Sequence, residues 1–276
     1  MCRILYLKWT NTKKAISYID AFFDAWFNDP HLNTWLLNKA WKDKNQHIHG
    51  WGYLFVTPDN IETYLNWNAF FQDKIWIENL KQKINSQTSE FMLMAELRLT
   101  DSWYISAFNS HPFSFSTRNW FEWLFFYNWV FDHNKLCLEE GIDYCNFYKK
   151  NSTTLLWHSI SNQLEKWKSI FEAINHPKIA LKTGYNIMMF LNDNLWNYKA
   201  IIHNYANPEL LKNDEFYKTY ISLIKKEEND MCFVGSNAIS CYKKDDYKYM
   251  ENSEFLEFPI NFIKEFYVDA NNDFKL

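Results

Sequence analysis

The 276-residue chain predicts an α+β fold of layered sheets and helices, and three features of the sequence carry that expectation. Short, apolar, β-prone runs recur along the chain, helix-period segments fall between groups of them, and several runs lie close enough to form hairpins. That pattern points to a layered sandwich more than to a doubly wound parallel sheet.

Residues 2 to 8 are compact and β-prone and predict an opening strand. Thr12 to Asn28 carries Ala15, Ile16, Ile19, Phe22, Phe23 and Phe27 at helical spacing behind Asn11, a good N-cap type. Trp51 to Thr57 and Phe91 to Arg98 read as strands, and Asp73 to Ile84 between them reads as a helix with Trp76, Leu80 and Ile84 on one face. Phe121 to Phe131 predicts a strand buried on both faces. From Ser152 to Asn175 the apolar positions keep a 3.6 period, which predicts one long helix capped by Ser152. Tyr185 to Leu191 and Leu195 to His203 predict a hairpin turning at Asn192-Asp193-Asn194, and Pro208 to Lys225 predicts a helix with proline at its start. Met231 to Val234 and Glu254 to Phe258 add strands. No internal repeat and no break in composition divides the chain, so a single domain over 1–276 is expected.

Hydrophobic residues make up 47% of the chain and aromatic ones 20%, enough to build a large core without cross-links. The longest apolar run, Trp120 to Phe131, is interrupted by Glu122 and Asn128 and is far shorter than the roughly 20 residues a membrane helix needs, so no membrane partner is expected. The net charge of −4 is spread along the chain, and Lys243-Lys244 is followed at once by Asp245-Asp246. Without a basic stripe, nucleic acid is not an expected partner. The five cysteines (Cys2, Cys137, Cys145, Cys232, Cys241) are scattered and form no C-x-x-C pair, which argues against disulfides, a zinc site or any metal cofactor and suits a reducing cytoplasm. The residues following Met1 lack a signal-peptide core. Only 5 glycines occur, and two of them fall in His49-Gly50-Trp51-Gly52.

Cys2 permits one specific chemistry. Removal of Met1 leaves a thiol and a free α-amino group on one residue, with ordinary pKa values of about 8.5 and about 8, so a single residue supplies nucleophile and proton acceptor. A cysteine here is equally an interior residue of the first strand.

Further stretches, in order, resemble class II glutamine amidotransferases, above all the small stand-alone type. After Met1-Cys2-Arg3 comes His49-Gly50-Trp51-Gly52, where that family has Asp-Gly-Phe/Trp-Gly. Arg98 to Thr100 follows, then Asn109-Ser110-His111-Pro112-Phe113, similar to Asn-x-His-Pro-Phe. Phe126-Tyr127-Asn128-Trp129 stands at the place of Phe/Met-His-Asn-Gly, Asp143 at that of Asp-Ser-Glu, and Val234-Gly235-Ser236-Asn237 at that of Val-Ala-Ser-Glu. The resemblance covers most of the chain. It implies a four-layer αββα sandwich of the N-terminal-nucleophile hydrolase type. It also implies a Cys2 thiolate that attacks the side-chain amide of glutamine or a γ-glutamyl compound and forms a thioester, with no cofactor. By the same resemblance, the Asn128 side chain and the backbone N–H of Trp129 donate to the oxyanion, each worth roughly 10²- to 10³-fold in rate. Arg98 holds the substrate carboxylate as a fork, Thr100 assists it, Asp143 takes the α-ammonium, and Gly52 lets backbone close the floor near the nucleophile. Any ammonia acceptor would belong to another protein subunit, or the chain would act as a plain hydrolase on a γ-glutamyl compound.

Taken alone, Arg98 reads as an ion-pair residue at a strand end, Asp143 as a helix cap, and His111 as a turn residue before Pro112. The sequence also departs from the family pattern. Trp129 replaces the oxyanion glycine, Thr100 follows Arg98 by two residues instead of three with Asp101 in the third place, Tyr127 stands for histidine, and His49 for aspartate. These departures leave a second expectation open: a catalytically silent protein of the same fold that binds a ligand or a protein partner.

Overall fold

The structure is a computed structural model and describes residues 2–31, 48–99, 110–119, 121–128, 131–143, 152–193, 197–213, 215–228 and 230–263. Twelve strands among them form two antiparallel sheets. In chain order the first elements are β1 (Arg3–Trp9), α1 (Thr12–Phe27), β2 (Trp51–Thr57), β3 (Asn60–Asn66), α2 (Lys74–Asn85), β4 (Phe91–Leu97), β5 (Phe113–Ser116) and β6 (Glu122–Asn128). There follow α3 (His133–Glu140), α4 (Ser152–Glu165), α5 (Ile170–Asn175), β7 (Gly184–Asn192), β8 (Tyr198–Ala206), α6 (Pro208–Asn213) and α7 (Glu215–Ile221). The last are β9 (Leu223–Glu228), β10 (Met231–Ser236), α8 (Ile239–Tyr242), β11 (Lys248–Tyr249) and β12 (Phe255–Pro259). Sheet A has the order β11-β9-β10-β1-β4-β2-β3 and sheet B the order β12-β8-β7-β6-β5.

Strand parity sorts the side chains into layers, because alternate residues point to opposite faces. In β1, Leu5, Leu7 and Trp9 pack under α1 and α2 with Tyr18, Phe22, Trp26 and Leu80, while Ile4 and Tyr6 face the other way. In β6, Phe125 and Tyr127 pack under α3 and α4 with Leu136, Leu155 and Ile160, while Phe126 faces Ile4, Met94 and Met188 between the sheets. Three stacked cores thus separate four layers, helix–sheet–sheet–helix, as expected.

The expected strands and helices of the first hundred residues form nearly as read, and Asn11 caps α1 by accepting from Lys14 N at 3.2 Å. The expected helix 152–175 is instead two. Trp167 adopts φ +59 and ends the first, and Ser169 opens the second with a capping box to Glu172. The expected helix 208–225 also breaks into α6 and α7, and its last residues leave it: Leu223 to Glu228 pair with β10, where burial of Leu223 and Ile224 beside the sheet outweighs helix propensity. β3 and β5, both edge strands, were not expected, nor was α3, although Asp132 and a left-handed Gly141 bracket it as cap and stop. The hairpin β7–β8 forms with β8 three residues later than expected; Asp193 and Asn197 close its turn, and Asn194 lies outside the described residues. No helix among the described residues is long and apolar enough to cross a membrane.

Candidate active site

The inter-sheet layer is apolar along most of its length and polar at one end, where the start of β1 meets the end of β6. Cys2 directly precedes β1 and has the parity of Ile4, and Asn128 ends β6 with the parity of Phe126. Both are buried, and the Asn128 amide clasps Cys2 from both sides. The Cys2 main-chain nitrogen donates to Asn128 Oδ1 at 2.8 Å, and Asn128 Nδ2 donates to the Cys2 carbonyl at 2.5 Å. The amide has two N–H bonds, so one donor remains.

Two charged side chains of β4 and its extension reach the same end. Glu96 shares the parity of Met92 and Met94 and is 1% exposed; Arg98, two residues on, is 5% exposed. The Arg98 backbone is tied to the 48–50 segment through Gly50 O at 2.9 Å and His49 N at 3.1 Å, and its Nη1 is buried without a hydrogen-bond partner among the described residues. Glu96 Oε1 lies 2.9 Å from His111 Nδ1, within ion-pair distance although off the line of a ring N–H hydrogen bond, and Oε2 has no hydrogen-bond partner among the described residues. His111 Nε2 in turn meets Thr153 Oγ1, in the first turn of α4, at 3.3 Å.

Burial pushes the Cys2 thiol up to about 12, and the negative charge of Glu96 adds to the rise against an opposing pull from nearby positive charges, Arg98 among them; the sulfur itself meets Leu99 O at 4.0 Å. The raised value favours the neutral thiol, so attack needs a group that takes its proton.

Cys2 is held from behind by Arg3, whose opposite parity sends it to the helix side. Its guanidinium pairs with Asp29 at 2.9 Å, donates to Tyr220 O at 2.9 Å and stacks 3.8 Å over the Tyr220 ring. Across sheet B, Asn186 and Asn204 stand in register with Asn128 and extend a row of buried amides.

Of the residues singled out from the sequence, Cys2, Asn128 and Arg98 come together. Gly52 is the register partner of Glu96, and a Cβ on it would lie 2.0 Å from the His111 carbonyl. The close approach expected there is real, and its partner is the backbone leading into β5. Asp143 is exposed and lies beside Cys137, whose side chain packs in the outer core under α4. Trp129, Thr100, Asp101 and Asn109 lie outside the described residues. Glu96 was not singled out; its signal was a lone carboxylate inside the apolar run Phe91 to Leu97. His111, read alone as a turn residue, is the partner of that carboxylate. No cluster of potential metal ligands occurs among the described residues. A cavity of about 430 Å³, lined by Ile61, Phe115, Glu122, Trp123 and Asn192 among others, lies at the other end of β6, about 20 Å from Asn128 by strand rise, and includes none of these groups.

No family model and no curated protein sequence matches the chain. Among solved structures, the glutamine phosphoribosylpyrophosphate (PRPP) amidotransferase from B. subtilis, complexed with ADP and GMP, matches over 93% of this chain and 47% of its own, at 10% identity and a TM-score of 0.50. A structure described as the allosteric regulatory enzyme of purine biosynthesis matches over 93% of this chain and 47% of its own, at 12% identity and a TM-score of 0.56. The chain spans about half the length of the solved structures it matches. The likeness shows the fold alone, a four-layer αββα sandwich of the N-terminal-nucleophile hydrolase type.

Proposed function

We propose that this chain, as a single domain over 1–276, is an amidohydrolase of the class II glutamine amidotransferase kind that cleaves the side-chain amide of glutamine or a γ-glutamyl compound through a Cys2 thioester. The observation that carries the reading is the two-way clasp of Cys2 by Asn128, with Arg98 Nη1, buried without a partner among the described residues, at the same buried end. The clasp holds the nucleophile in one position, and the remaining N–H of Asn128 suits an oxyanion formed beside it. Arg98 offers a planar fork for a substrate carboxylate. The backbone N–H of Trp129 as second oxyanion donor, Thr100 as an aid to Arg98, and Asp143 as the ammonium ligand belong to the proposal through the sequence resemblance. Gly52 contributes by letting the His111 backbone close over β2. The mechanism uses no cofactor, and ammonia passes to an accepting protein subunit or to solvent.

The burial of Cys2 is what favours the second reading, a silent protein of this fold that binds a ligand or partner, because it pushes the thiol up to about 12 and disfavours the attacking thiolate. A glutamine analogue carrying a diazoketone in place of the amide separates the two. In protein processed to begin at Cys2 it should alkylate Cys2 and spare Cys137, Cys232 and Cys241; Cys2→Ala should abolish labelling, and Arg98→Lys should weaken it by about tenfold or more. If the processed protein is neither labelled nor able to bind glutamine, the amidohydrolase reading falls and the binding module takes its place.

A further inference from the structure

At the rim of the inter-sheet layer farthest from Cys2, strand register aligns four polar side chains of sheet B in one row. Ser116 of β5 is paired with Glu122 of β6, Glu122 with Asn192 of β7, and Asn192 with Tyr198 of β8. Directly paired residues point to one face, and Glu122 has the parity of Phe126, so the row looks toward sheet A. One step inward the next row is apolar, with Leu124 beside Phe190, and Ile61 of β3 faces it from sheet A. Between them lies the cavity of about 430 Å³ noted above, inside the range of roughly 300 to 1,000 Å³ of small-molecule sites.

The chemistry of the lining selects the ligand. Glu122 is the one charged residue lining the cavity among the described residues, and it stands exposed at the mouth. Asn192 Nδ2 donates to Glu122 Oε2 at 3.4 Å, which steadies the carboxylate without neutralising it. Lys199, beside Tyr198 on β8, has the opposite parity and pairs with Glu257 at 2.8 Å, so it leaves Glu122 unanswered. Asn192 is 6% exposed, and its Oδ1 has no hydrogen-bond partner among the described residues, a cost that a ligand donor relieves after a small turn of the side chain. Behind these acceptors the wall is flat and aromatic. Phe190 and Tyr198 stack with ring centroids 5.6 Å apart and 16° between their planes. A negative mouth, a spare acceptor and aromatic faces together favour a cation that carries an apolar body.

We propose that this cavity is a second binding site, for a small primary amine with a flat apolar body. Its ammonium pairs with Glu122, and its body lies between Ile61 and the Leu124–Phe190 row. The site stands about 20 Å from Asn128 by strand rise and is independent of the Cys2 reading.

Phenethylamine is a suitable probe, and 2-phenylethanol is its neutral isostere. In a ligand-observed NMR titration of the full chain, phenethylamine should bind saturably and 2-phenylethanol about fivefold or more weakly, since it lacks the charge. Glu122→Gln should weaken the amine about fivefold or more and leave the alcohol unchanged, because an exposed carboxylate contributes charge and little packing. Ser116→Trp, an exposed substitution on an edge strand, should fill the mouth and weaken both. Cys2→Ala should bind the amine as the wild type does. Absence of saturable binding up to about 10 mM overturns the proposal, as does equal binding of amine and alcohol, which would mark an unselective apolar hole. Wild-type affinity in both Glu122→Gln and Ser116→Trp, or loss of binding in Cys2→Ala, would place the amine elsewhere and overturn the proposal while leaving the amidohydrolase reading to its own test.

Discussion

At the scale of single residues, the site is defined by what Asn128 does to Cys2. One side chain satisfies a main-chain donor and a main-chain acceptor that are otherwise buried at the start of a strand. Asn128→Ala removes both partners at once and leaves two buried groups unpaired, which should cost roughly 2 to 4 kcal/mol in urea denaturation. Glutamine hydrolysis should fall by roughly 10² to 10³, since the oxyanion donor goes with it. Asn128→Asp keeps an acceptor for the Cys2 nitrogen and loses the donor, so it should lose activity with a smaller loss of stability. Equal stability and equal turnover in all three proteins would show that the clasp is incidental. Of this cluster, Cys2, Asn128 and Arg98 were legible from sequence because a family pattern points to them. Glu96 was not, because a charge in a strand is ordinarily read as solvated until its parity and its neighbours are known.

At the scale of elements, the strands were legible where an apolar run is continuous and were missed where the strand is an edge. β4 is buried at every position and declares itself, whereas β3 alternates exposed and half-buried residues and carries Asn60, Glu62, Thr63 and Asn66. Helices behaved similarly: α1, buried along eight positions, ran to its expected length, and the segment from Ser152 broke where Trp167 turned outward at 73% exposure. Elements far from the site are fixed by polar ties as well as by cores. Asp245, before β11, accepts from Tyr18 of α1 at 2.5 Å and pairs with Lys226 of β9. Partial burial works against its charge, but the bonds from Lys226 and Tyr18 outweigh it and hold the carboxyl at about 2, below its ordinary value of 3.8. A depressed carboxyl stabilises the fold above its unfolded value and stops doing so as pH falls through the folded one. Asp245→Asn should therefore be less stable than wild type by up to about 1 kcal/mol at pH 7, and the gap should close between about pH 4 and pH 2. A gap that persists unchanged at pH 2 would rule out the charge as its source.

At the scale of the whole molecule, the two sheets must approach closely at the end that carries the chemistry. Gly52 is the contact point: β2 of sheet A there meets the backbone that leads into β5 of sheet B, with 2.0 Å for a Cβ that would need well over 3 Å. Gly52→Ala should force the His111 segment outward, cost about 3 kcal/mol by overpacking, and slow diazoketone labelling of Cys2 because the two sheets no longer close at the polar end. A Gly52→Ala protein that melts with the wild type and labels at the same rate would refute this account of the contact. The buried Arg3–Asp29 pair provides the complementary anchor, holding the start of β1 to the helix layer while Asn128 holds it to sheet B.

The sequence by itself determined the fold class, most of the central strands, the first two helices and three of the residues at the polar end. These are encoded locally, by apolar period, by cap residues and by short ordered motifs. Tertiary structure alone decided that Glu96 and His111 meet beside Cys2, that Arg3 turns away from the site, and that Asn186 and Asn204 continue the row begun by Asn128. Those facts depend on strand register and on which sheet faces which. A shift of one residue in register turns a side chain from the inter-sheet layer to the helix layer, and only the packed pair of sheets selects between them.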